Sequence, residues 1–288
     1  MKDIRLAVRG IYDLQKLRIQ TGNRIVNHFL KKLGVEPSKA KNAQVEELTK
    51  ELKAEFKRLT DGLLEKHGLA YLVRKKQGLV SNETEFALVS LYFTLLTEEQ
   101  KQIKFLKNSL ERLAIYKKFL KKIKGIGPLM AGVIISEIDI EKAHYVSSLW
   151  KYAGLDVVKT PDGKTIGRCK KRKCLEVVEY IAKDGTRKEK LSLSYNLFLK
   201  TKLVKVLAEV FLKTKSPYRE IYDDYKNRLE NHPAHKDKTK LHRHNMAKRY
   251  MIKQFLRDLY LKWRELEGLP VYESYNEAKL GMRHKKVA

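Results

Sequence analysis

Cysteine is nearly absent from this chain: 288 residues hold two, Cys169 and Cys174. Two thiols make no disulfide framework and fit a reducing compartment. Proline and glycine are scarce, at 6 and 15, which argues against a loop-rich all-β fold and for helices. Long apolar runs are missing too. The longest, "FALVSLYFTLL" from Phe86 to Leu96, is about half the length needed to cross a bilayer. The opening "MKDIRLAVRG" holds no apolar signal core. Acidic residues are outnumbered, with 34 Asp and Glu against 62 Lys and Arg, a net charge of +28. A charge of that size repels itself in the compact state unless a polyanion relieves it. Nucleic acid is the first partner expected and an anionic membrane surface the second. With apolar residues at 43%, the chain carries enough to build real cores and is not a disordered polycation. The expected location is the cytoplasm, in association with the nucleoid.

What is present is mostly helical pattern. Ile4, Val8, Ile11, Leu14, Leu17, Ile25, Phe29 and Leu33 recur at helical spacing, and Gly34 and Pro37 stop the run. Leu48, Leu52, Phe56, Leu59 and Leu63 share a face of a second helix over residues 44–66. A third begins near Ser81, where Ser-Asn-Glu-Thr offers capping chemistry, and is expected to run on to about Lys124. From Val157 the pattern changes. Two Asp-Gly pairs appear, and Asp184-Gly185 joins alternating runs in a way that signals a β-hairpin. Helices resume over residues 195–212, 217–229 and 244–268. The expected fold is mainly α: a helical bundle or coiled-coil-like arm over residues 1–115, a DNA-binding domain over 116–270 with a β-hairpin at about 173–193, and a basic tail over 271–288. The arm's helices offer a surface for a homo-oligomer.

The stretch "FLKKIKGIGPLMAGVIISEI", Phe119–Ile138, reads as helix, Gly-Ile-Gly break, helix. It has the residue types of a helix-hairpin-helix motif. The glycines permit a tight turn that brings N–H groups to the surface. Ile126 plugs the space between the helices, Pro128 opens the second helix where its missing N–H costs nothing, and Ala131 allows close approach. The second helix then aims its positive end at the surface. Lys117, Lys118, Lys121, Lys122 and Lys124 crowd around it. Such a site grips phosphate and carries no base information. The plain alternative is a helix turn with a glycine cap. The DNA-contacting residues expected here are Lys121, Lys122, Lys124, Gly125, Ile126 and Gly127.

A second basic run adds Lys164, Arg168, Lys170, Lys171, Arg172 and Lys173, beside a β-ribbon that either lies along a nucleic-acid backbone or is a solvated edge blunted by lysine. A third patch is Arg243, Lys248, Arg249, Lys253 and Arg257 on the last long helix. Three other signals are weak. "GKT" at Gly163–Thr165 lacks the earlier glycine of a phosphate-binding loop. The two cysteines and the histidines at 232, 235, 242 and 244 lack zinc-ligand spacing. The serines and histidines show no triad order. No metal site or cofactor is expected.

The segment "GIGPLMAGVIISEIDIEKAHYVSSLWKYAGLDVV" resembles the C-terminal domain of transposases of the insertion-sequence 110/116/902 group. The shared features are Gly125–Pro128, Ser136-Glu137-Ile138 and the "LWKYAGL" helix at Leu149–Leu155. The resemblance covers roughly residues 116–270. It implies a role in DNA transposition or recombination, and a serine nucleophile near a Ser-Gly-Gly-Lys turn. Here Thr160-Pro161-Asp162-Gly163-Lys164 stands in that place, which makes Thr160 the candidate hydroxyl. The resemblance also implies an N-terminal nuclease-like half with four metal-binding acidic residues, and residues 1–115 show no such pattern. The expected partner is therefore DNA, with RNA or junction binding by a non-catalytic derivative as the alternative.

Overall fold

A computed structural model describes residues 2–60, 78–159, 165–167 and 175–272. They form two compact units, Leu6–Phe105 and a second built from Met1–Arg5 with Leu106–Ala288. The architecture is mainly α with small antiparallel ribbons.

The first unit is made by α1 (Lys2–Lys32), α2 (Asn42–Thr60) and α3 (Glu83–Leu110). The apolar faces read from the sequence meet in one core: Ile25 and Phe29 from α1, Leu48, Leu52 and Leu59 from α2, Phe86 and Val89 from α3. Phe56 stacks on Phe93 at 4.5 Å and on Phe86 at 6.3 Å. Two buried carboxylates organise the start of α3. Glu55 accepts the N–H groups of Leu79 and Val80 at 2.8 and 3.2 Å. Asn82 accepts the N–H of Glu85 at 2.8 Å, which is the expected cap. Glu85 in turn accepts the Ser81 N–H at 2.8 Å and lies 2.8 Å from both Lys32 Nζ and His28 Nε2.

Burial works against the Glu85 charge, but hydrogen bonds from His28, Lys32 and Ser81 outweigh it and hold the carboxyl down to about 2. A depressed carboxyl stabilises the fold above its ordinary pKa and loses that contribution as pH falls through the depressed value. Acid titration of thermal stability should therefore show a loss between about pH 4.5 and pH 2. The Glu85→Gln variant should lack that component and be less stable at neutral pH by about 2 kcal/mol. Identical acid profiles for the two proteins would refute the assignment.

The second unit is built around α10 (Lys240–Leu266). Met251, Ile252, Phe255, Leu256, Leu259 and Tyr260 are fully buried along it. Packed with it in this unit are α4 (Ala114–Lys118), α5 (Pro128–Glu137), α6 (Val146–Tyr152), α7 (Leu197–Thr201), α8 (Ala208–Lys213) and α9 (Tyr218–Asn231). A wide π-turn at Lys202–Leu207 makes α7 and α8 one continuous helix. The last helix begins at Lys240, four residues earlier than its sequence pattern suggests, because Thr239 accepts the His242 N–H as a cap.

The long third helix does not reach Lys124. It ends at Leu110, and a turn leads through Leu113 into α4. The reason is geometric. At about 100° per residue, an unbroken helix would set Leu110 opposite Phe119 and spread Ile115, Tyr116 and Leu120 over more than half of its circumference, yet all five are buried. Breaking the helix lets every one of them face the core.

The β content differs from expectation in one respect. The predicted hairpin is present as β3 (Leu175–Ile181) and β4 (Arg187–Leu193), with the Asp184-Gly185 turn between. A second, shorter ribbon pairs β1 (Val157–Lys159) with β2 (Thr165–Gly167). Nothing in the residue pattern flagged strands so short.

The "YAGL" end of α6 shows why glycine stands at 154. Its φ is +63°, and a Cβ there would lie 2.5 Å from the Tyr195 ring. The Leu155 N–H closes on Trp150 O at 2.8 Å, completing the helix stop. Gly154→Ala should cost at least about 1–2 kcal/mol from backbone strain alone, with Tyr195 displaced in addition. Urea denaturation checks this. A loss under about 0.5 kcal/mol would show that the turn relaxes freely.

Candidate nucleic-acid interface

The Gly-Ile-Gly hairpin is built from unequal arms. The first arm is short: α4, a kink at Phe119 (φ −132°, ψ −69°), then a 3-10 turn over Leu120–Lys122. The second is the ten-residue α5. Leu120, Ile123 and Ile126 are buried and seat the turn on the core.

The two glycines do different jobs. Gly125 has φ +101°, and a Cβ on it would meet Val210, Thr214 and Phe211 of the α8 region at 3.0–3.3 Å. It makes the turn and lets the hairpin sit on α8. Gly127 has an ordinary φ of −85°, and among the described residues nothing lies within 4 Å of where its Cβ would be. The expectation that both residues bend the backbone holds only for Gly125. Gly127 is the N-cap of α5, exposed, and no side chain caps the helix there. The first-turn N–H groups of α5, which have no intrahelical acceptor, therefore open onto uncrowded space.

The lysines around this helix end also differ. Lys122 and Lys124 are exposed. Lys121 is exposed as well but lies 2.7 Å from Glu111. That contact holds the Glu111 carboxyl below its usual range and the Lys121 ammonium above its own. Lys122 also lines a cleft of about 390 Å³ with Lys118, Phe119, Asp258, Leu261, Lys262 and Glu265. Sequence reading missed Lys262. The available signal was its spacing four residues after Asp258, which sets both on one face of α10.

The third basic patch does not survive folding. Arg257 is buried and donates to Asp258 Oδ1 at 2.9 Å. Lys248 is buried in an ion pair with Glu209. Lys253 lies 4.2 Å over the Trp150 ring, and burial pushes its ammonium below the usual lysine range despite Asp156 nearby. Arg243 donates to Lys238 O at 2.6 Å. Only Arg249 of the five is exposed. Helical spacing could not separate a solvent-facing cation from one folded onto a neighbour.

The "SEI" glutamate acts as a brace. Glu137 is buried and accepts Asn196 Nδ2 at 2.6 Å. Asn196 also donates its N–H to Tyr152 O at 2.8 Å and caps α7 by accepting the Leu199 N–H at 2.9 Å. One carboxylate thus ties the end of α5 to the point where the chain returns from the β-ribbon beside α6. Thr160, Lys164, Arg168, Lys170, Lys171, Arg172 and Lys173 lie outside the described residues, as do Cys169 and Cys174. Among the described residues no group of three His, Cys, Asp or Glu is placed to hold a metal ion, and no helix is long and apolar enough to cross a membrane.

The hairpin, the brace and the "YAGL" stop fall in one segment, and residues 117–175 match the model of the Transposase IS116/IS110/IS902 family. Over that segment, which is less than half of the chain, this protein is similar to that family. The match supports a transposase-class function acting on DNA. No curated protein and no solved structure matches the chain.

Because the glycines differ, their valine variants should differ. Gly125→Val should be strongly destabilised, since it combines a disfavoured φ of +101° with three contacts at 3.0–3.3 Å that make its neighbours give way. Gly127→Val should fold with at most about 1 kcal/mol lost, the cost of a poorer N-cap. Thermal denaturation followed by circular dichroism distinguishes them, and equal losses in both variants would contradict the geometry.

Proposed function

We propose that this chain grips the backbone phosphates of DNA through the helix-hairpin-helix turn at Gly125–Pro128, as part of DNA transposition or recombination. The observation that carries the reading is the open, uncapped N-terminus of α5 at Gly127, with Lys122 and Lys124 exposed beside it. A phosphate placed there receives first-turn N–H groups, the positive helix end and two mobile ammonium groups together. In this reading Gly125 shapes the turn, Ile126 anchors it, and Gly127 leaves room for the incoming strand. Lys121, shared with Glu111, contributes less. The run Lys164, Arg168 and Lys170–Lys173 adds sequence-independent charge that extends the contact along the duplex.

Anisotropy titrations of labelled duplex DNA over a range of salt test this. Log affinity should fall linearly with log salt, by about 0.9 for each phosphate contacted. Lys122→Ala and Lys124→Ala should each lower that slope by about one. Gly127→Asp is the sharpest variant. An Asp N-cap keeps or slightly raises helix stability, yet it puts a carboxylate where the phosphate belongs. Binding should weaken at least about tenfold in a fully folded protein. A folded Gly127→Asp that binds like the parent would show that the hairpin is a helix turn and no more.

A further inference from the structure

The break between α4 and the 3-10 turn does more than end a helix. The backbone at Phe119 (φ −132°, ψ −69°) carries its ring to 6.4 Å from Phe255. Lys118 and Lys122 are left exposed on either side of it. Facing this arm is one stripe of α10. Asp258, Leu261, Lys262 and Glu265 recur at i, i+3, i+4 and i+7, the spacing that shares a helix face. Between the two walls lies the cleft of about 390 Å³. That volume is more than one phosphate group needs and falls among sites that hold a small molecule, about 300–1,000 Å³.

The two walls differ in chemistry. The arm presents two exposed ammonium groups. The α10 wall is amphoteric. Lys262 donates to Glu265 at 2.9 Å, so a neighbouring group meets a donor and a carboxylate together. Asp258 is engaged by Arg257 and Tyr218. A phosphate set deep between the walls would face the Glu265 carboxylate and be repelled. A nucleobase would not. It is uncharged and carries donors and acceptors side by side on its edges. Its flat faces suit Leu261 and the lysine stems, which are apolar up to their ammonium heads.

We propose that the cleft receives one unpaired nucleotide of the strand gripped at Gly127, with its phosphate on Lys118 and Lys122 and its base against Leu261 and the Lys262–Glu265 pair. The inference rests on the phosphate-gripping reading, which supplies the anchor. Lys122 lies close in sequence to the Gly127 cap of α5 and also lines the cleft, so neighbouring nucleotides of one strand can occupy the two places. A base inside a duplex is stacked and paired and does not enter a cleft of this kind, whereas a base at a bulge, flap or frayed end does. Contacts to a base face and to one ion pair tolerate every base, so the site reads the absence of pairing and not the sequence.

Anisotropy titrations of the full chain at one salt concentration test this with three DNAs of equal length: a perfect duplex, the duplex with a single-nucleotide bulge, and that bulge made abasic. The bulged DNA should bind at least about fivefold tighter than the duplex. The abasic bulge keeps the flexibility and the extra phosphate but has no base, and should lose the gain. Leu261→Trp fills the cleft from a half-buried position and should erase the preference while duplex affinity stays within about twofold of the parent. Lys118→Glu, at an exposed site where folding is safe, is the second variant and should cut the bulge-to-duplex ratio at least about threefold. A parent that binds bulge and duplex alike, an abasic bulge that keeps the gain, or a preference that survives both variants overturns the proposal; if Gly127→Asp still weakens duplex binding, the phosphate-gripping reading stands without it. If Gly127→Asp leaves all three DNAs bound as before, the anchor fails and the proposal falls with it.

Discussion

Phe255 is the point on which the hairpin-bearing unit is assembled. Phe119 at the entry to the hairpin, Phe211 of α8 and Tyr218 of α9 all place rings within 5.5–6.4 Å of it. Three segments distant in sequence are thus set against one side chain of α10. Aromatic contacts of this kind combine large buried area with a preferred orientation, so they fix the angle of each element as well as its presence. The hairpin turn inherits that rigidity. Its own first arm is too short and irregular to hold Gly125–Pro128 in place, and the placement comes from Phe119 reaching Phe255 and from the burial of Leu120.

Buried polar groups complete the assembly. Arg264 is 2% exposed and its guanidinium serves the carbonyls of Ile140 and Ala143 at 3.0 Å and of Pro270 at 2.6 Å. Tyr260 donates to His144 O at 2.6 Å. Burying a cation costs a great deal unless its donors are satisfied, and here they are spent on carbonyls of the loop that joins α5 to α6. The two helices that carry the domain's signature residues are therefore clamped to the end of α10. The Tyr218–Asp258–Arg257 cluster does the same for α9, with Tyr218 donating to Asp258 at 3.1 Å. Burial and the Asp258 charge push the Tyr218 hydroxyl far above its ordinary pKa, so it remains a donor at any physiological pH.

The fold gives cations that composition counts alike different roles. Some cations are internal braces, as Arg257, Arg264 and Lys248 are. Others are held at the surface by a neighbour, as Lys121 is by Glu111 and Lys188 by Asp184. Lys122 and Lys124 stand exposed beside the N-terminus of α5. Composition counts all three alike. The run of residues 175–193, with four acidic and four basic side chains, shows that the charge is not spread evenly along the chain.

The amino-acid sequence by itself determined the helical class, the apolar faces of α1 and α2, the Asp184-Gly185 hairpin and the motif at Gly125–Pro128. Each rests on a local rule: helical spacing, a turn pair, a glycine-proline helix start. It also carried the family resemblance, since those signature residues are contiguous. Tertiary structure decided what local rules cannot reach. It broke the long third helix at Leu110, because apolar residues on opposite faces both needed the core. It gave the turn to Gly125 and the open approach to Gly127, because α8 packs against one and no described residue crowds the Cβ position of the other. It turned four of five cations on α10 inward, because their partners Glu209, Trp150, Asp258 and the Lys238 carbonyl come from elsewhere along the chain or from a helix face that spacing alone leaves ambiguous. Where a residue's role depends on a contact partner far along the chain, or on the space beside it, only folding supplies the answer.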